Sequence, residues 1–268
     1  MRYLNLGCGQ RFHSDWENVD FLPGGSSVRT HDLRKGIPFP DLSFDVVYHS
    51  HVLEHFSKVE GMQLLRQCHR VLRVDGIVRV AVPDLEQIAR LYLEALDKSL
   101  GGDRDWQERY DWMILEMYDQ TVRDESGGGM LAYLSRDPIP QREFVASRMG
   151  GELRRLKAPK PKDTHQTPLG KGSRILNLAS RKIARLALGR KGIQAHDLGA
   201  IRISGEVHRW MYDRFSLARA LEEAGFSCPR KVGPTESGIP EWTKFNLDTE
   251  ADGSVYKPDS LYMEAIRS

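Results

Sequence analysis

The strongest constraint on the fold lies in the first 84 residues, where short apolar stretches alternate with turns and one helical segment. The series opens with YLNLGCG at residues 3–9, a strand-forming run that leads straight into Gly7-Cys8-Gly9. RYLNL (2–6), ENVDF (17–21), VRTHDL (28–33), FDVVYHS (44–50) and IVRVAVP (77–83) are rich in Val, Ile, Tyr and Phe, the residues that suit a pleated, covered surface. Several of these runs are apolar on both faces, as in a parallel sheet with helices on either side. Between the last two, Val59, Met62, Leu65, Val71 and Leu72 recur near helical spacing from Lys58 to Arg73, and Asp75-Gly76 stops the pattern. Strand–helix alternation of this kind predicts a doubly wound α/β sheet.

After Pro83-Asp84 the pattern turns helical. LEQIARLYLEALDKSL (85–100) reads as a helix ended by Gly101-Gly102, and the aromatic-rich stretch 105–124 as another. A Pro/Lys-rich loop (158–172) precedes an amphipathic helix over 173–189, with Ile175, Ala179, Ile183 and Leu186 on one face. DRFSLARALEEAGF (213–226) is a helix closed by Gly225, and SCPRKV (227–232) and SLYMEAIR (260–267) read as final strands. The expected organisation is one core, residues 1–84 plus 205–268, with a helical insert over 85–204 that caps the acceptor side.

No apolar run approaches the ~18 residues of a membrane-spanning helix, and the N-terminus has no basic-then-apolar leader pattern. Cys8, Cys68 and Cys228 are few and widely spaced, which points to a reducing, cytoplasmic setting without a cysteine metal knuckle. The net charge of +2 is unevenly spread: residues 152–192 hold twelve Lys or Arg against Glu152 and Asp163. That segment suits either an anionic partner or a solvated face.

A strand ending in Gly-x-Gly leaves backbone that no side chain shields, so a ligand can lie against it. Dinucleotide enzymes place a third glycine three residues on and an acid about twenty residues away. Here Phe12 stands at that third position and Asp20 follows Gly9 by only eleven, which disfavours a nicotinamide dinucleotide.

LNLGCG, NVDF, HDL, FDVVYHSHVLEH and CHRVLRVDGIVRVAVPD occur in that order within 84 residues. This succession resembles the class I S-adenosylmethionine (SAM)-dependent methyltransferases, and within them the type-11-like group. The resemblance covers about residues 2–84 and 205–267. It implies a Rossmann-like seven-stranded sheet of order 3-2-1-4-5-7-6. It also implies roles for the matching residues: Asn5, Gly7, Cys8 and Gly9 at the turn beneath the methionyl part of the cofactor; Asp20 on the ribose hydroxyls; Asp32 and Leu33 at adenine; Ser50 and His51 beneath the methionine. Relatives usually carry a helix before the first strand, whereas this chain begins on that strand, so cofactor cover is expected from the insert.

HSHVLEHF (49–56) sets His51, Glu54 and His55 just past the fourth strand, and GEVHRW (205–210) brings His208 from farther along. Three readings fit these residues. One histidine is a general base for an acceptor hydroxyl; or His51, Glu54, His55 and His208 hold a divalent metal, Mg²⁺ or a transition metal; or Glu54 and His55 simply cap the next helix. The set resembles a Glu-x-x-Glu-His motif plus a distant histidine in metal-dependent O-methyltransferases, with His51 in place of the first Glu. Three histidines and one carboxylate favour a borderline metal over a purely oxygen-ligated one.

Trp106, Tyr110, Trp112, Tyr118, Trp210, Tyr212 and Trp242 suit either helix packing or the apolar faces of sugars. SGEVHRWMYDRFSL and the C-terminal DTEADGSVYKPDSLYMEAIR resemble methyltransferases of bacterial surface-glycan assembly. The leading expectation is O-methylation of a sugar or oligosaccharide hydroxyl. The alternatives are a quinone-like small molecule, RNA bound through the basic 154–191 segment, or a non-catalytic scaffold with its basic helix on a membrane or partner. The insert's helices also offer a face for a homodimer.

Overall fold

The computed structural model describes residues 1–23, 25–157, 189 and 191–268. The loop of 158–172 and the amphipathic helix expected over 173–189 lie outside the described residues, Gly189 aside, and so does most of the basic 154–191 segment.

Seven strands, β1 (Tyr3–Leu6), β2 (Trp16–Asp20), β3 (Val28–Thr30), β4 (Phe44–Ser50), β5 (Leu72–Pro83), β6 (Phe226–Val232) and β7 (Ser260–Arg267), make one sheet. Its order is β3-β2-β1-β4-β5-β7-β6, the order the resemblance implies. The first five strands are mutually parallel, and β7 runs antiparallel between β5 and β6. Connectivity reverses between β1 and β4, so a crevice opens beyond the carboxyl ends of those strands.

The helix expected over 58–73 ends two residues early, as α1 (Lys58–Val71). Leu72 is extended and fully buried, pairing with Phe44, and Asp75 (φ 63°) precedes Gly76 at a register shift within β5. Burial of Leu72 thus outweighs local helical spacing. Ser57 starts α1 through a reciprocal capping box with Glu60.

On the α1 side of the sheet, Leu4, Leu6, Val47, Val78 and Val80 are wholly buried with Leu65 and Leu217, the last from the Arg214–Glu223 helix. The other side carries Trp16, Val46 and Tyr48 beneath Trp242, Phe245 and Leu247. Arg79 secures that cover. Its fully buried guanidinium donates to Asp248 at 2.9 Å and to Glu264 at 2.8 Å, while the Tyr48 hydroxyl donates to Asp248 at 2.6 Å.

Helices α2 (Leu85–Leu100), α3 (Arg104–Ile114), α4 (Gly128–Leu134) and α5 (Arg142–Met149) form a separate apolar cluster around Trp112, Met113 and Tyr133. Residues 191–203 are helical again. Among the described residues, no helix is long and apolar enough to cross a membrane.

Candidate active site

Gly7 ends β1 with φ 62°, in the left-handed region. A Cβ there would sit 2.3 Å from Val52 Cγ2, so only glycine lets the turn pass this close to the residues after β4. Asp20, at the end of β2, holds the turn: its carboxylate accepts the Gly9 N–H at 2.7 Å and the Leu22 N–H at 2.8 Å. Asn5 is buried and donates to the Arg11 carbonyl and to Asn18, so it braces the loop from below. Cys8 is buried too; burial first, then the Asp20 charge, pushes its thiol up to about 12.

A cleft of about 310 Å³ opens over this turn, lined by Gly7, Asp20, Asp32, Leu33 and His51 among others. These five were expected together, and the fold brings them together. Asn5, Cys8 and Gly9 are scaffold to the turn rather than wall, and Ser50 is not among the lining residues. Asp32 caps the short turn Leu33–Lys35, and the Arg34 guanidinium beside it (2.9 and 3.1 Å) holds its carboxyl below the usual range. Phe21, Leu22 and the segment Ile203–Gly205 complete the wall. The last of these follows directly on the helix over 191–203.

His51 follows β4 with φ 54°, a backbone conformation that costs a non-glycine residue of order 1 kcal/mol and that clusters at functional sites. Its N–H donates to the Ala81 carbonyl at 2.9 Å, which fixes the turn. The ring then faces two ways: Nδ1 lies 3.1 Å from Glu54 Oε1, and Nε2 lies 2.8 Å from Ser260 Oγ.

Glu54 sits in the one-turn helix Leu53–His55 and is fully buried. The His51 contact is close enough for charge, but neither Glu54 oxygen has an aligned hydrogen-bond donor. Burial raises its pKa, yet His51, His55 and His208 together hold the carboxyl well below the usual range. The Glu54 carbonyl accepts the N–H groups of Arg209 (2.7 Å) and Trp210 (3.2 Å), which brings His208 in, and the His208 and His55 rings meet edge-on at 4.9 Å. Burial drives His208 down to about 3, so it is neutral. Ligand atoms of Glu54, His55 and His208 all lie within 4.8 Å of one another, whereas His51 stands outside that group. The four expected side chains therefore meet, as a three-member cluster with His51 at its edge.

A second cavity, about 230 Å³, lies across His51 under the helices. Its wall includes Trp112, Glu116, Arg123, Arg148, Glu152, Glu206, Lys257 and Asp259. Most of these charges are paired. Arg148 meets Glu116, which also accepts from Trp112 Nε1 at 2.9 Å; Arg123 donates to Asp119 (2.7 Å) and Glu206 (3.1 Å); Lys257 lies 3.3 Å from Glu152. Of the seven aromatics considered for sugar contact, only Trp112 lines this cavity. Trp106 and Tyr110 pack in the helical cluster, Trp242 covers the sheet, and Trp210 and Tyr212 line a different groove.

Residues 8–80 match the family model described as a methyltransferase domain. No curated protein matches the chain. Among solved structures, a SAM-dependent methyltransferase from Archaeoglobus fulgidus is 12% identical at a TM-score of 0.38, covering 99% of this chain and 86% of that one. The YcgJ protein from Bacillus subtilis is 23% identical at a TM-score of 0.26, covering 34% of this chain and 52% of that one. A protein from Pyrococcus horikoshii is 22% identical at 0.28, covering 34% and 53%. The match to the last two thus spans about half of their length. Residues 8–80, the part that matches a methyltransferase domain, hold β2 to β4, most of β5 and the Gly9–Asp20 contact that closes the glycine turn.

Proposed function

We propose that the protein transfers a methyl group from SAM to a hydroxyl of a sugar or oligosaccharide, with His51 receiving the proton. The observation that carries this reading is the double position of His51, which lines both the cleft over the glycine turn and the cavity under the helices. A group between donor and acceptor compartments is where a proton must be collected as a methyl arrives.

The cleft suits SAM. The Gly7 turn admits a ligand against bare backbone, and the Asp20 carboxylate still has lone pairs for ribose hydroxyls beyond the two amides it accepts. The cofactor, when bound, supplies an electrophilic methyl on a sulfonium. This chain supplies alignment and a proton route: Glu54 lies against Nδ1, which favours the proton there and leaves Nε2 as the base facing the cavity. In this reading Ser260 Oγ occupies the position that the acceptor hydroxyl takes during turnover, and residues 85–204 act as the cap over the acceptor.

The cavity's charges favour a neutral acceptor. Four carboxylates (Glu116, Glu152, Glu206, Asp259) face three cations (Arg123, Arg148, Lys257), which gives no net pull on a phosphate, as RNA would need. The wall also carries Trp112, Met130, Leu131 and Met149, a mixture that suits a ligand with hydroxyl edges and apolar faces.

A second reading rests on the buried Glu54 carboxylate, whose ligand oxygen lies within 4.8 Å of ligand nitrogens of His55 and His208. His55 Nδ1 lies 3.3 Å from the Val207 carbonyl, an orientation that leaves Nε2 to bind. Two imidazoles and a carboxylate fit a borderline divalent metal, which would lower the pKa of an acceptor hydroxyl.

The test is methyl transfer from labelled SAM to a panel of methyl glycosides. His51→Ala is expected to abolish turnover while SAM affinity stays within about threefold; turnover unchanged in that variant refutes the base. Full activity in EDTA, with no metal in the purified protein, excludes the second reading.

A further inference from the structure

We infer that Gln120 is the specificity residue of the acceptor cavity, its side-chain amide pairing with a hydroxyl other than the one methylated; this rests on the sugar-hydroxyl reading above. Trp112, Glu116, Gln120 and Arg123 all line that cavity, at intervals of four, four and three residues. Helix α3 ends at Ile114 and runs straight into a π-helical turn, Leu115–Asp119. Residues four apart drift around an α-helix, and the wider turn offsets that drift, so the stripe keeps to one face. Its first step is visible in the Trp112 Nε1–H, which donates to Glu116 at 2.9 Å. Gln120 takes the next place, directly after the π turn, and single turns of this kind are frequent at functional sites.

What sets Gln120 apart on this wall is a carboxamide both open and uncommitted. The residue is half-buried; among the described residues its Oε1 and Nε2 make no hydrogen bond, and both keep accessible surface. The charged groups around it are engaged: Glu116 by Arg148 and Trp112, Glu206 by Arg123, Ser126 and the Gly127 amide, Glu152 by Lys257. Asp259, the other polar side chain there without a hydrogen bond among the described residues, has its Oδ1 sealed from solvent. A ligand can therefore reach Gln120 without breaking an ion pair. The backbone beneath the carboxamide is held, because the Gln120 carbonyl accepts the His208 N–H at 2.8 Å.

The chemistry of the group matches a polyol. A carboxamide donates through Nε2 and accepts through Oε1, and a sugar hydroxyl likewise does both. The group is neutral, so it reads a hydroxyl without adding any pull on an anion.

The experiment compares wild type, Gln120→Met and Gln120→Ala on methyl glycosides and their monodeoxy derivatives, with SAM affinity measured in parallel. Met keeps the length and loses both polar atoms, Ala removes the side chain, and both are good helix formers that keep the carbonyl bond to His208. Both variants are expected to lower kcat/KM for a glycoside about 5- to 50-fold, mainly through KM, with SAM affinity held. One deoxy derivative should carry the same penalty in wild type and none further in Gln120→Met. Variants that use the glycoside like wild type overturn the inference and leave the methyl-transfer reading standing. Penalties that add fully, or SAM affinity that falls together with acceptor use, also overturn it. A wild-type protein that binds SAM yet methylates no glycoside overturns both.

Discussion

Stability should fall steeply between pH 7 and pH 5, and two buried histidines beside Glu54 set how much. His49, on β4, is wholly buried and neither ring nitrogen has a partner; burial lowers it to about 4, against a small opposing pull from Glu54. His208 is lowered by burial to about 3. In the unfolded chain each titrates near 6.5, so below that pH the unfolded state binds protons that the folded state refuses. Stability is therefore complete above about pH 7 and is lost as pH falls toward each folded value. At pH 5 linkage gives a loss of about 2 kcal/mol for each histidine. Glu54 works in the opposite window: its carboxyl is held low, so its contribution disappears only below the ordinary carboxylate range and does not enter between pH 7 and 5. Urea unfolding of wild type and His49→Leu at both pH values isolates the first term. The variant should be as stable as wild type at pH 7, since it removes a buried unpartnered imidazole. It should lose about 2 kcal/mol less than wild type on going to pH 5. An identical loss in both proteins would refute the reasoning.

Other expectations follow from single contacts. Asp20→Ala removes the acceptor of the Gly9 and Leu22 amides together with the proposed ribose anchor; calorimetry should show SAM binding weakened by about 1–3 kcal/mol, and unchanged affinity would refute the assignment. Gly7→Ala forces a methyl against Val52 in a left-handed backbone, so both the melting temperature and SAM affinity should fall. Arg79→Met leaves Asp248 buried without its cation and Glu264 with only the exposed Arg230; a loss of about 3–5 kcal/mol is expected in urea unfolding, and a loss under 1 kcal/mol would show that the remaining partners suffice. Arg11, which donates to the carbonyls of Leu247 (3.2 Å), Asn246 (2.6 Å) and Thr249, ties the glycine loop to the C-terminal segment; Arg11→Ala should speed proteolysis within 246–256.

The parallel half of the sheet was legible because its strands are short, apolar and separated by turns, and FDVVYHS was placed to the residue. HVLEH was legible as a cluster because it sits at the carboxyl end of β4, where topology gathers side chains. Asp259 and Lys257 were not. They precede β7, which runs antiparallel to β5, and pairing Ser260 with Pro83 places the start of β7 at the ligand end of the sheet. That placement depends on strand direction, which local pattern does not carry. The aromatic inventory left packing and sugar contact both open for a related reason: Trp106, Tyr110 and Trp242 pack in apolar clusters, and composition cannot say which face a ring turns toward. The role of Arg79 was not legible, because its partners, Asp248 and Glu264, lie 169 and 185 residues away.

The decisive contact is the one made over the Gly7 turn. A crystal structure with S-adenosylhomocysteine should place the ribose hydroxyls on Asp20 and the sulfur beside His51, facing the cavity that holds Asp259. A nucleoside bound elsewhere, or a sulfur turned away from His51, would contradict it.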